Sequence, residues 1–137
     1  MRATLLALVL GAGLVVGGCG GIKAPDLFIV NRSGSSAQAR LTLLVNEEGG
    51  VSCNGAPELK LSDAQIVKAR AIQEELHEPA SHHLSLAPQP GSVLGYTVRD
   101  QDGTVTFADN SKAQPKVLRS LALFVLETAQ LLCHLPE

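Results

Sequence analysis

The stretch Leu94-Gly95-Tyr96-Thr97-Val98-Arg99-Asp100-Gln101-Asp102-Gly103-Thr104-Val105-Thr106-Phe107 reads as two strands joined by a tight turn. Leu94, Tyr96 and Val98 alternate with Gly95, Thr97 and Arg99, the period-2 pattern of a half-buried strand. The Asp102-Gly103 pair carries hairpin turn chemistry, and Thr104 to Phe107 then alternates again. Such a hairpin has one apolar face, so another element must cover it.

The segment that follows supplies a cover. A helix is expected after Asn110-Ser111-Lys112-Ala113, with Pro115 in the first turn, where a missing N–H would have no partner in any case. Leu121 to Leu126 are six apolar residues in a row. At about 100° per residue they span roughly 600° of helix turn, so some of them point away from a one-sided contact with a sheet. Either the other helix covers the excess or it is a partner surface, with Leu123 and Leu126 as the candidates.

Upstream the same order occurs once before. Leu27 to Val30 is a short apolar strand ended by Ser33-Gly34-Ser35-Ser36, and Arg40 to Asn46 is a second with Leu41, Leu43 and Val45 on one face. Glu47-Glu48-Gly49-Gly50 turns the chain into Val51-Ser52-Cys53. A helix is expected over Leu61 to Glu78: Ser62 is its N-cap, Gln65 completes a capping box, and Ile66, Ala69, Ile72 and Leu76 share a face. Pro79 is expected to stop it, and Pro79 to Ser92, with Pro88, Pro90 and Gly91, reads as an irregular crossover. Three strands, a helix, two strands and a helix (βββαββα) make an α+β fold, an antiparallel sheet of two hairpin-then-helix units with both helices on one face.

The N-terminus has a different character. Arg2 precedes an uncharged run from Ala3 to Val16, and Gly17-Gly18-Cys19 closes it with small residues and a thiol. The run is shorter than the roughly 20 apolar residues that a spanning helix needs, and it matches a secretory signal. A cysteine beside the cleavage point makes it a lipoprotein signal, and an ordinary signal with an incidental cysteine is the alternative. Residues 1–18 are thus expected to be removed, Cys19 to be lipidated, residues 19–26 to form a short tether and residues 27–135 to form one α+β domain. Seven tether residues reach at most roughly 25 Å, which keeps the domain near the bilayer.

Composition excludes several functions. The formal charge of −2 becomes −3 once Arg2 leaves with the signal, so there is no basic footprint for nucleic acid. Four aromatics, Phe28, Tyr96, Phe107 and Phe124, are too few to make a stacking platform for bases or sugars. With Cys19 used, Cys53 and Cys133 remain. In an exported chain a disulfide between them is the favoured reading, against two buried free thiols.

Chemistry-bearing constellations are sparse. There is no phosphate loop, Gly-x-Ser-x-Gly elbow or His-Glu-x-x-His motif. His82 and His83 are adjacent, and neighbours on an extended loop point to opposite sides, which suits a solvated loop better than a shared metal. Glu47-Glu48 and Asp100 with Asp102 fall in hairpin turns, where acidic residues are ordinary turn formers. The expectation is no catalytic residue, no metal and no cofactor.

Arg32-Ser33-Gly34, Leu61-Ser62 opening a helix, Tyr96-Thr97-Val98, Asp102-Gly103 and Gln114-Pro115-Lys116-Val117-Leu118-Arg119 together resemble the emfourin family over about residues 27 to 132. Those are small bacterial inhibitors of thermolysin-type metalloproteases. Two departures stand out: Ser35-Ser36-Ala37 replaces the Gly-Phe that usually follows Arg-Ser-Gly, and a lipobox is not usual in that family. The whole chain also resembles small lipoproteins of high-GC Gram-positive bacteria, which implies the outer face of the cytoplasmic membrane. The expected function is a lipid-anchored, non-catalytic protein-binding module, with protease inhibition as one form of it. A structural or accessory lipoprotein that assembles with another envelope protein is the alternative. Ser33, Gly34, Ser35, Leu123 and Leu126 are the expected partner-binding residues.

Overall fold

The computed structural model describes residues 26–135. The expected signal peptide, Cys19 and nearly all of the tether lie outside the described residues. In chain order the elements are β1 (Asp26–Gly34), a 3-10 turn (Ala37–Ala39), β2 (Leu41–Asn46), β3 (Gly50–Cys53), β4 (Leu59–Lys60), α1 (Asp63–Ser81), β5 (Leu94–Arg99), β6 (Thr104–Ala108) and α2 (Lys116–Leu131). The strands form one sheet in the order β4-β3-β2-β1-β5-β6. Every pair in it is antiparallel. The fold is therefore α+β, as the residue pattern implies, with a short extra strand before the first helix.

Alternation decides which face is covered. Phe28, Val30, Leu41, Leu43, Val45, Val51, Tyr96, Val98, Val105 and Phe107 are buried together with Ile72 and Leu76 of α1 and Leu118, Leu121, Phe124 and Val125 of α2. Asn31, Thr42, Thr97, Arg99 and Thr106 occupy the other, exposed face. A register shift between Asp26 and Phe28 in the pairing with β2 lets both Leu27 and Phe28 turn inward. Tyr96 and Phe107 are cross-strand partners, and their rings stack at 4.8 Å.

The two helices are placed by close approaches. A side chain at Gly49 (φ +79°) would run into Ile66, so the β2–β3 turn sits under the start of α1. One at Gly103 would meet the Ala80 carbonyl, so the β5–β6 turn sits under its end. α1 thus reaches from one hairpin turn to the other. Its N-terminus has the expected capping box: Ser62 Oγ accepts from the Gln65 N–H, and the Gln65 side chain accepts from the Ser62 N–H.

Two elements differ from expectation. Pro79 does not stop α1, which continues to Ser81. A proline so near the end removes only one helical hydrogen bond, and Pro79 and Ala80 are buried there. The crossover is not wholly irregular either: Leu84 and Leu86 exchange backbone hydrogen bonds with Thr106, covering the outer edge of β6. Ser111 holds this segment from behind, donating to the Ala87 carbonyl at 2.9 Å.

A disulfide joins Cys53 at the end of β3 to Cys133 just after α2, with their Cα atoms 5.9 Å apart. It ties the last helix to the half of the sheet remote from β5 and β6.

Candidate functional site

β1 extends four residues beyond Val30, so Arg32-Ser33-Gly34 is strand and the turn begins at Ser35. This assigns the expected partner-binding residues to different places. Ser33 faces the open side of the sheet, where with Leu86, Pro88, Gly95, Thr97 and Thr106 it borders a shallow depression. Gly34 is a packing position: a Cβ there would lie 2.6 Å from Ala39 Cβ and 2.9 Å from the Val93 carbonyl oxygen. Ser35 lies at the rim between β1 and α2, where it lines one cavity with Leu126.

That rim holds a cavity of about 170 Å³, lined by Arg32, Ser35, Ser36, Gln38, Ala39, Val93, Leu94 and Leu126. Four segments converge on it: the end of β1, the 3-10 turn, the start of β5 and the middle of α2. Ser36 caps the 3-10 turn by accepting from the Ala39 N–H at 3.2 Å. The turn's carbonyls then point at Arg32, whose Nε donates to Ala39 O at 2.8 Å and whose Nη2 donates to Gln38 O at 3.4 Å.

Arg32 is the unusual member. Its place in the alternation with Phe28 and Val30 turns it to the covered side of the sheet, and it is only 6 % exposed. Among the described residues no carboxylate lies within ion-pair distance of it. Its cross-strand partner is Tyr96. Burial pushes the Tyr96 hydroxyl above its ordinary pKa, against a lowering pull from Arg32 and with a small raising push from Asp109. The phenol is therefore neutral at neutral pH and does not balance the guanidinium.

Outside the cavity the surface is apolar. On α2, Leu121, Phe124 and Val125 are buried, whereas Leu123 is 49 % and Leu126 37 % exposed. These two are three residues apart, hence on one helix face. Val93, 59 % exposed, lines the cavity with Leu126. Neither Arg32 nor Val93 was among the expected site residues. The signal for Arg32 is its inward register, which is visible only once Asn31 to Gly34 is read as strand.

A second groove, about 590 Å³, runs beside α1 and is lined by Leu27, Glu47, Arg70, Gln73, Glu74, His77, Gln101 and Asp102. His77 Nδ1 lies 3.0 Å from Asp102 Oδ2, a pair charged on both sides only when the histidine is protonated. Arg70 donates to the Glu47 carbonyl at 2.8 Å. The lining holds no serine, threonine or cysteine, so His77 has no nucleophile there to activate. These contacts close the rim between α1 and the two hairpin turns.

Among the described residues no helix is long and apolar enough to cross a membrane, and no cluster of three or more histidine, cysteine or acidic side chains is arranged to hold a metal ion. No family model, no curated protein and no solved structure matches this chain.

Proposed function

We propose that the chain is a lipid-anchored, non-catalytic protein-binding module, with Cys19 as its anchor on the extracytoplasmic face of the cell membrane. The observation that carries the reading is the exposed apolar pair Leu126 and Val93 at the Arg32 cavity, continued along the same face of α2 by Leu123. Three large apolar side chains stay exposed there, and an apolar patch beside a concave polar spot is a common form of partner surface. Of the two readings of the six-residue apolar run in α2, the exposed pair favours a partner surface.

The experiment is capture from detergent-solubilised membranes with the full chain as bait, compared with Leu123→Glu. A specific envelope protein retained by the wild type and lost with the variant supports the reading; equal recovery with both overturns it. Inhibition of a thermolysin-like protease is the narrower form suggested by the resemblance to emfourins, and titration of such a protease with the chain tests it. Anchoring has its own test. Cys19→Ser cannot form the thioether, so it should lose fatty-acid label and membrane association; retained label would overturn the anchor.

A further inference from the structure

We infer that the Arg32 cavity takes the C-terminal carboxylate of a polypeptide whose last side chain is small and apolar. The inference rests on the binding-module reading and names the chemistry of the partner.

A guanidinium removed from water needs an anionic or multiply accepting partner. Arg32 is buried, and among the described residues its hydrogen-bond partners are two carbonyl oxygens, one of them at 3.4 Å. Those contacts orient the fork without neutralising it. A carboxylate would supply the charge and the paired geometry for which a guanidinium is suited. The Ser35 hydroxyl lines the same space and makes no hydrogen bond among the described residues, so it can donate to a second carboxylate oxygen.

The size of the cavity selects among carboxylates. At about 30 Å³ per water, 170 Å³ holds roughly six waters, close to the seven non-hydrogen atoms of a valine side chain with its Cα and carboxylate. Leu94, Val93 and Leu126 give the apolar wall that the side chain needs, and Leu123 continues the apolar strip outward on α2 for the residues upstream. Capture of a terminal carboxylate in a small polar nest is a recurrent mode of peptide recognition.

The test is binding of N-acetylated hexapeptides ending in valine to the full chain in detergent, as the free acid and as the C-terminal amide. The free acid should bind, the amide should bind at least tenfold more weakly, and the Arg32 Nε–H resonance should shift only with the acid. Equal binding of acid and amide, or no binding of either in the millimolar range, overturns the inference, as does octanoate binding in place of the peptide. Arg32→Gln should abolish binding, but it also loosens the Ala39 contact. Leu126→Glu is therefore the second variant: it sets a competing carboxylate over the cavity and leaves both Arg32 hydrogen bonds in place. Loss of binding in a variant that still melts cooperatively supports the inference, and retained binding counts against it. If free-acid peptides fail while a membrane partner is still lost with Leu123→Glu, the inference falls and the binding module stands. If the acid binds and no membrane partner is captured, the carboxylate site stands and what falls is the placing of its partner in the membrane.

Discussion

Cys53 and Cys133 are bonded across 80 residues of chain, the one at the end of β3 and the other immediately after α2. α2 is the last element in the chain, and its inward face contributes Leu118, Leu121, Phe124 and Val125 to the core. The bond therefore fastens the C-terminal end of α2 to the sheet at the end of β3.

Breaking that bond should be costly. Closing a loop of this length restricts the unfolded chain by about 4 kcal/mol in the chain-entropy model. Cys53→Ala with Cys133→Ala should lower unfolding free energy by up to that amount while leaving the far-ultraviolet circular dichroism of the folded state unchanged. Reductant should shift the wild type towards the double variant and leave the double variant where it was. Denaturant titration with and without reductant checks both statements.

Gly34 is the second position where a small change should have a large effect. A methyl group there would lie 2.6 Å from Ala39 Cβ and 2.9 Å from Val93 O, both on segments that frame the Arg32 cavity. Gly34→Ala should cost about 1–3 kcal/mol by overpacking and move the 3-10 turn away from Arg32. Gly55→Ala is the control for backbone freedom alone: nothing lies within 4 Å of its Cβ, but its φ is +75°, so about 1 kcal/mol is expected from conformation only. Thermal melts separate the two, and only Gly34→Ala should alter the Arg32 Nε–H resonance.

Asp109 carries a pH-dependent contribution. Burial is the largest single influence and raises its pKa, but the hydrogen bond from Ser92 and the backbone N–H groups of Val93, Leu94 and Asn110 together outweigh it and hold the carboxyl below its ordinary value. A folded pKa below the unfolded one means that the stability it provides is present above the ordinary aspartate value of about 3.9 and is lost as pH falls through the folded value. Asp109→Asn should accordingly melt lower than wild type at neutral pH, with the gap closing on acidification below both values. A gap independent of pH would show that the carboxylate charge is not what the Ser92 to Leu94 segment responds to.

How much of this was legible in the residues depends on whether the signal was local. The Leu94 to Phe107 hairpin, the Ser62–Gln65 capping box and the pairing of Cys53 with Cys133 could be read directly, because alternation, cap chemistry and an even cysteine count each follow from neighbours or from arithmetic. β4 could not: Leu59 and Lys60 are two exposed residues that pair with Gly50 and Val51, and two residues carry no period. Pro79 misled because its local rule was overridden by packing of the last turn of α1. The site was half legible. Ser35 and Leu126 were chosen for unrelated reasons and prove to line one cavity. Arg32 was missed as its centre because Ser33-Gly34-Ser35-Ser36 reads as a turn, and a turn arginine is expected in solvent rather than in the inward register of a strand.

The α2 face gives the sharpest test, since adjacent residues of similar chemistry should behave oppositely. Phe124 is fully buried and packs edge-on against Phe28 with ring centroids 6.0 Å apart, so Phe124→Ala should cost about 3–5 kcal/mol. Leu123, one residue earlier, is half exposed, and Leu123→Glu should change stability by no more than about 0.5 kcal/mol. Glu127 stands on the next turn, paired with Lys68 of α1 at 2.9 Å, so the added glutamate at position 123 meets a like charge already neutralised, and the repulsion stays within a few tenths, about 0.2–0.5 kcal/mol. Leu126→Glu should be intermediate, because part of its side chain walls the Arg32 cavity. If partner capture fails for Leu123→Glu while its melt matches wild type, the loss belongs to the surface and not to the fold. If Leu123→Glu unfolds the chain as Phe124→Ala does, the exposed face is core in solution and the partner surface must lie elsewhere.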